Sequence, residues 1–327
     1  MLTKHHLLPG LIAGALLGSP AADAQAPGGY PVRPVTIIVA QAPGGPNDME
    51  ARLYAGKLTE LTRHKFLVDY KPGAGTTIGA IFVARSAPDG YTLLAVTAGV
   101  TIFPALYPKL DIDVVKDFAP VSLLSKKAQV LLVRPDFPAG SFEDYIAYAR
   151  ANPGRVNYAT TGTGGGAHLI GAWMHSATQT SVTFIPYKGT APIVVDMLGG
   201  RIDATAALIA VTMPLLKAGK VKALAITSDK RSRLLPDVPA VAERGIPDYN
   251  YTTWMGFSAP RGTHPDIIGR LNGWFVQVAR SPDIIQALEA DGSEVVGSTA
   301  AQFQQQILSE VARWNRVVKE AGIKADP

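Results

Sequence analysis

Residues 158–169 read Tyr158-Ala-Thr-Thr-Gly-Thr-Gly-Gly-Gly-Ala-His-Leu169. The β-favouring run 156–159 leads into hydroxyls and glycines, and a helix is expected to start near Ala167. Gly162, Gly164, Gly165 and Gly166 permit backbone angles that a Cβ forbids. Thr160, Thr161 and Thr163 add hydroxyls. The first amides and the positive dipole end of the helix face the same spot. Such a turn can hold a small anion without any charged side chain. The same letters, Gly162-x-Gly164-x-x-Ala167, also fit a dinucleotide fingerprint, which calls for an acidic residue about 20 positions on. The sequence there is Val182-Thr-Phe-Ile-Pro-Tyr-Lys188, with no carboxylate. A plain strand-to-helix turn is the third reading.

Composition narrows the field. The chain has 327 residues, 47% hydrophobic and 17% charged. That suits two folded domains rather than a disordered chain. The net charge is +5, and the cations come in pairs such as Lys126-Lys127. This is not the clustered pattern of a nucleic-acid binder. Cys is absent, so disulfides and thiol catalysis are excluded. At the N-terminus, Lys4-His5-His6, an apolar run over 7–17 and Ala22-Asp23-Ala24 have the order of a secretory leader. Residues 1–24 are expected to be a signal peptide cleaved after Ala24, delivering the protein to the periplasm.

The pattern at 158–169 recurs on either side. A β-branched strand at 35–40 runs into Gln41-Ala-Pro-Gly-Gly-Pro-Asn-Asp48, and a helix is expected over 49–61 with Asp48 as its N-cap. A strand at 66–70 runs into Lys71-Pro-Gly-Ala-Gly-Thr-Thr77, with a helix over 78–85. A strand at 92–97 ends at Thr97. Further strands are expected at 130–133, 182–185, 202–208, 223–227 and 254–260, with helices over 191–198, 265–281 and 300–320. In the last helix Phe303, Ile307, Val311, Trp314 and Val318 form one apolar face, read as packing on the first domain. Repeated strand, glycine loop and helix predict α/β domains with mostly parallel sheets.

The ordered set of motifs resembles the Bug-type extracytoplasmic solute receptors of tripartite tricarboxylate transporters. It comprises Ala42-Pro-Gly-Gly-x-x-Asp48, Lys71-Pro-Gly-Ala-Gly75, Pro88-Asp-Gly-Tyr-Thr-Leu-Leu94 and Asp117-Phe-Ala-Pro-Val-Ser122. Further on come Gly162-x-Gly164, Pro186-Tyr-Lys-Gly189, Leu198-Gly-Gly200, Pro236-Asp-Val-Pro239 and Trp254-x-Gly256. The resemblance implies a two-domain clamshell of periplasmic-binding-protein type, with two crossing strands as hinge. Its domains would be 30–130 plus 255–327, and 131–254. It implies an organic carboxylate held between them and passed to a membrane permease, by a protein expected to be a monomer without cofactor, metal or nucleic acid. An exported carboxylate sensor used in signalling is the alternative. The ligand set it implies is Pro43, Gly44, Gly45 and Asp48 in the first loop, Gly75, Thr76 and Thr77 in the next, and Thr97. From the second domain it takes Thr160, Thr161, Gly162, Thr163, Gly164 and Gly165, and His168, one turn into the helix, and Asp203, beside a strand start, are candidates on their own placement. Gln41 stands where the family usually has an aromatic residue, and Thr76 where glycine is common. Both departures concern the far end of the ligand.

Several of these residues have structural alternatives. Asp48 can serve as a cap only, His168 and His175 can pack and satisfy neighbours, and Asp203 can bind backbone. Trp254 reads as core at the hinge. No Gly-x-Ser-x-Gly, His-Glu-x-x-His or Walker loop occurs, so no enzyme is expected.

Overall fold

The computed structural model describes residues 29–162 and 164–324. The expected leader and Thr163 lie outside them. The first lobe opens with β1 (Val35–Val39), α1 (Pro46–Thr62), β2 (Phe66–Tyr70), α2 (Thr77–Ala84) and β3 (Thr92–Thr97). A 3-10 turn, Ala98–Ile102, and the short α3 (Phe103–Leu106) lead to β4 (Phe118–Val133). The second lobe holds α4 (Phe142–Ala151), β5 (Asn157–Thr160), α5 (Gly166–Ala177), β6 (Thr183–Pro186), α6 (Thr190–Leu198), β7 (Ala204–Leu208), α7 (Ile209–Lys217) and β8 (Lys222–Ile226). The chain returns through β9 (Thr252–Pro260), α8 (Pro265–Ala279), α9 (Pro282–Ala290), β10 (Ser293–Val295) and α10 (Ala300–Glu320).

The two-domain α/β fold is as expected, but both sheets are mixed. In the first, β2, β1 and β3 are parallel, while β9, β4 and β10 join antiparallel. In the second, β7, β5 and β6 are parallel, and β4 lies between β7 and β8, antiparallel to both. The cause is β4. It is one continuous strand that pairs with β9 up to Ala128 and with β7 and β8 from Gln129 onward. It therefore belongs to both sheets and runs opposite to the strands of the second. The return crossing lies next to it. Tyr251 N donates to Thr227 O at 2.7 Å, and Thr227 N donates to Gln129 O at 2.9 Å.

Because β1, β2 and β3 are parallel, their C-terminal loops emerge at one edge. The antiparallel relation of β5 and β7 to β4 turns their C-terminal loops back toward that edge. Each lobe has a core on both faces of its sheet. Tyr54, Leu58, Phe257 and Phe275 fill one side of the first, with Phe257 stacked on Phe275 at 4.4 Å. Val130, Ile193, Met197 and Ile226 fill the matching side of the second. The remaining core is continuous from Ile38 and Phe303 in the first lobe to Trp173 and Tyr249 in the second.

Helix α10 has the expected bounds and apolar face, and Thr299 with Gln302 forms a capping box at its start. Its packing is wider than expected. Trp314 meets Trp173 edge-on at 5.9 Å, and Arg313 donates to Asn250 O at 2.9 Å, so the helix touches both lobes. Helix α1 begins at Pro46 rather than 49, because proline's fixed φ suits the first helical turn. Its N-cap is Gly45, and Asp48 sits three residues in. Helices α3, α7 and α9 and strand β10 were not anticipated. They are short, and a proline lies inside α7.

Candidate functional site

The loop after β5 bends through Gly162 at φ +99° and Gly164 at φ +73°, in the left-handed region that favours glycine. Gly165 caps α5 without a side-chain hydrogen bond. A Cβ on Gly165 would lie 2.9 Å from the Thr161 carbonyl, and one on Gly164 only 2.3 Å from Leu106 Cδ1 of the first lobe. His168 reaches back so that its Nδ1 accepts from Gly164 N at 3.1 Å, which fixes the turn. Its ring leans on Phe184 at 4.7 Å.

A cleft of about 330 Å³ opens beside this turn, lined from the second lobe by Thr161, Gly164, Gly165 and Gly166. Thr190 and Leu208 border it too. They stand at the starts of α6 and α7, where Gly189 and Leu208 are N-caps without side-chain hydrogen bonds. Three helix N-termini thus meet one cavity, and among the described residues no side chain caps them. Each leaves amide donors open and adds positive potential. The first lobe contributes Ala98, Gly99 and Ile102, the hinge contributes Gln129, Tyr251, Thr252 and Thr253, and α10 contributes Glu310 and Trp314.

Glu310 is buried. Its carboxylate accepts from Trp254 Nε1 at 2.9 Å, Gln306 Nε2 at 2.6 Å and Thr101 Oγ1 at 3.1 Å. Burial pushes its pKa up against those hydrogen bonds. The same contacts tie α10 to the hinge strand β9 and to the turn at Ala98–Ile102.

The expected ligand residues divide into groups. Thr161, Gly164 and Gly165 line the cleft. Thr76 and Thr97 line a hollow of about 10 Å³ next to it, with Gln41 and Val100. The chain from Thr97 to Ile102 is the wall between the two. Gln41 Oε1 is buried there without a hydrogen-bond partner. Pro43, Gly44, Gly45 and Gly75 lie in the loops after β1 and β2, and Thr77 begins α2, but none of them borders either space. Gly162 shapes the turn, and Thr160 is buried beneath it, its carbonyl accepting from Tyr187 N at 2.9 Å.

Asp48 has both oxygens engaged. Oδ2 accepts from Gly44 N at 2.7 Å, and Oδ1 accepts from Arg52 Nε at 2.8 Å and Tyr70 OH at 2.6 Å. Burial alone would raise its pKa, but the hydrogen bonds from Gly44, Tyr70 and Arg52 outweigh it and leave the carboxyl below its usual range. Asp48 therefore fixes the first glycine loop. Asp203 is placed elsewhere. It precedes β7, at the far end of that strand from Leu208, where Oδ1 accepts from Arg134 Nε at 2.9 Å and Oδ2 from Asn157 N at 2.8 Å. It ties strands together at the outer end of the sheet and does not face the cleft.

A larger crevice of about 590 Å³ lies elsewhere between the lobes, lined by Lys126, Ser228, Lys230, Arg233, Glu289 and Glu294 among others. In the first sheet, β9 and β10 flank β4 on opposite sides, since Lys126 pairs with both Trp254 and Glu294. The cleft carries the turn that follows β3, beyond β9, and the crevice carries β10. Thr252 lines both. They therefore open on opposite sides of the crossing strands. Of the four cations lining the crevice three are paired, Lys230 with Glu294 at 3.0 Å, Arg231 with Glu243 at 2.8 Å, and Arg233 with Glu289, and Lys126 has no ion pair among the described residues. Among the described residues no group of His, Asp and Glu could hold a metal, and no helix is long and apolar enough to cross a membrane.

Residues 51–323 match the family model described as "Tripartite tricarboxylate transporter family receptor". This chain belongs to that receptor family. Among its relatives is Protein BugT of Bordetella pertussis, 36% identical over 90% of this chain and 91% of BugT. Similar solved structures include an R. palustris protein with adipate, at 34% identity and TM-score 0.77, covering 91% of this chain and all of that one. MatC from Rhodopseudomonas palustris, with bound malate, is 32% identical with TM-score 0.73, covering 88% of this chain and all of MatC. The periplasmic binding protein BugD is 33% identical with TM-score 0.73, covering 91% of this chain and all of BugD. The receptors of this family are solute-binding proteins, in keeping with the resemblance drawn from the motifs.

Proposed function

We propose that this receptor captures an organic carboxylate in the periplasm, in the cleft between its lobes, and delivers it to the permease of a tripartite tricarboxylate-type transporter. It works as a monomer, without a catalytic step. The lobes are 30–130 plus 255–327, and 131–254. The change of β4 partners between Ala128 and Gln129 and the start of β9 at Thr252 support boundaries near these. The leader-like pattern at 1–24 and the relatives' periplasmic setting support export.

One observation carries the reading: α5, α6 and α7 all start, uncapped by side chains, at one interlobe cavity. Fixed donors lose little ordering entropy on binding. Hydrogen bonds to a charged acceptor are roughly twice as strong as neutral ones. Thr161, Thr163 and the α5 amides hold the carboxylate. Gly44, Gly45, Thr76 and Thr77 approach from the first lobe as it closes. The adipate and malate bound by similar proteins support an organic carboxylate as the ligand class.

The test is a thermal-shift and calorimetric screen of the full chain against mono-, di- and tricarboxylates and their neutral primary amides. A ligand that binds only the folded form raises the midpoint as its concentration exceeds Kd. Carboxylates are expected to stabilise and the matching amides are not. Equal responses to acid and amide would sink the proposal.

A further inference from the structure

Two polar side chains that line the cleft make no hydrogen bond among the described residues. Gln129 is the first residue of β4 beyond the change of partners, and Tyr251 is the last before β9. Their backbones are fully engaged with Thr227. Gln129 N donates to Thr227 Oγ1 at 2.9 Å, and Thr227 Oγ1 donates to Tyr251 O at 2.8 Å. Their side chains are not. Gln129 is 8% exposed and Tyr251 6% exposed, yet neither side chain makes a hydrogen bond among the described residues.

Both side chains reach one spot at the head of α5. A Cβ on Gly166 would stand 2.7 Å from Tyr251 OH and 3.0 Å from Gln129 Nε2. Glycine at 166 therefore leaves room for an amide and a phenol to converge beside the helix N-terminus. Burial, and after it the nearby Glu310 charge, pushes the Tyr251 phenol up, so it keeps its proton. Both residues line the cleft, so their polar tips open onto it, and a ligand group that bonds them takes the place of water there.

The two groups also select. An amide and a phenol each donate and accept. A hydroxyl, ketone or amide on the ligand matches them. A second carboxylate would sit near Glu310, whose oxygens are occupied by Trp254, Gln306 and Thr101 and offer it no donor. Ile102, Leu169 and Trp314 cover the space between with apolar surface.

We propose that Gln129 and Tyr251 form the inner, polar half of the ligand site, and that the preferred ligand is a carboxylate bearing a second, uncharged polar group. This rests on the carboxylate reading above and narrows it. Since Gln129 lies in one crossing strand and Tyr251 directly precedes the other, the ligand then bonds directly to the hinge as well as to the second lobe.

Calorimetry on the full chain tests this with two matched sets: butanoate, 4-hydroxybutanoate and succinate, and benzoate, 4-hydroxybenzoate and terephthalate. The hydroxy acid is expected to bind tightest in at least one set. Tyr251→Phe and Gln129→Met keep size and shape. Each should weaken the hydroxy acid about tenfold while leaving the unsubstituted acid within about twofold. Variants that weaken both acids alike, or neither, overturn the proposal, as does a wild type that takes the dicarboxylate tightest in both sets. If the wild type binds acids without a hydroxyl preference, only this inference falls. If it binds none of the six, the carboxylate reading falls and this one with it.

Discussion

His175 shows what a single side chain can do at a distance from the cleft. It is buried in the second lobe, with Nε2 3.1 Å from Tyr145 OH and Nδ1 2.6 Å from Thr180 Oγ1. Burial pushes its pKa down to about 4. The unfolded chain holds this imidazole near 6.5. Its stabilising contribution is therefore present above pH 6.5 and is lost as pH falls from 6.5 toward 4. The expected loss is about 3 kcal/mol at full development. Glu50 and Glu310, raised by burial, act in the opposite direction over the acid range, so the comparison must be with a variant. In guanidinium unfolding at pH 7 and pH 4.5, His175→Gln should lose less stability than the wild type. An equal loss in both would refute the assignment. At this scale the sequence was partly legible. Thr161, Gly164 and Gly165 could be read because glycines and hydroxyls before a helix have a local meaning. Gln129 and Tyr251 could not, since their meaning comes from a hinge that joins residues 122 positions apart. Glu310 had a readable signal. It falls three residues after Ile307 and four before Trp314, a carboxylate on an apolar stripe.

At the scale of elements the deciding parts are the starts of helices. A side chain that caps α7 from within should compete with the ligand. Leu208 is its N-cap, with φ −59° and ψ 145°, angles open to any residue. Leu208→Asp would place a carboxylate over the first amides of α7. Asp at such a position stabilises a helix by about 1 kcal/mol over an apolar residue. The variant should keep its melting midpoint within a few degrees while carboxylate affinity drops at least about tenfold. Retained affinity in calorimetry would show that α7 takes no part. Strand, glycine loop and helix units were legible because β-branched runs and breakers act locally. Helix α10 was legible from its long apolar period. Its contact with both lobes was not, because a stripe says that a face is buried without saying against what. The bounds of α1 slipped for a local reason, the tolerance of proline in a first turn.

For the molecule as a whole, the crossing strands set the mechanics. A rotation about β4 and β9 that narrows the ligand cleft must widen the crevice on the other side, since Thr252 lies between them. The pairs Lys230–Glu294 and Arg233–Glu289 join second lobe to first across that crevice. They resist closure. Lys230 is 67% and Arg233 78% exposed at the side chain, so each pair is worth only about 0.2–1 kcal/mol. Lys230→Ala with Arg233→Ala should tighten carboxylate binding about two- to fivefold at low ionic strength. Near 1 M salt the difference should vanish. Weaker binding in the double variant would reverse the assigned direction. The mixed sheets belong to this scale too. Local patterning showed the parallel β1 and β5 units, but the reversed strands, β9 and β10 in the first sheet and β4 in the second, follow from the path of the chain between the lobes. One further consequence concerns indoles. Of the chain's four tryptophans, Trp314 lines the cleft, Trp173 touches it edge-on, and Trp254 hydrogen-bonds Glu310 in the same wall. Trp274 instead stacks on Tyr30 at 6.2 Å, on the first lobe's α8. Emission from this protein is therefore weighted toward the cleft, and binding at the proposed site should change it without an attached dye.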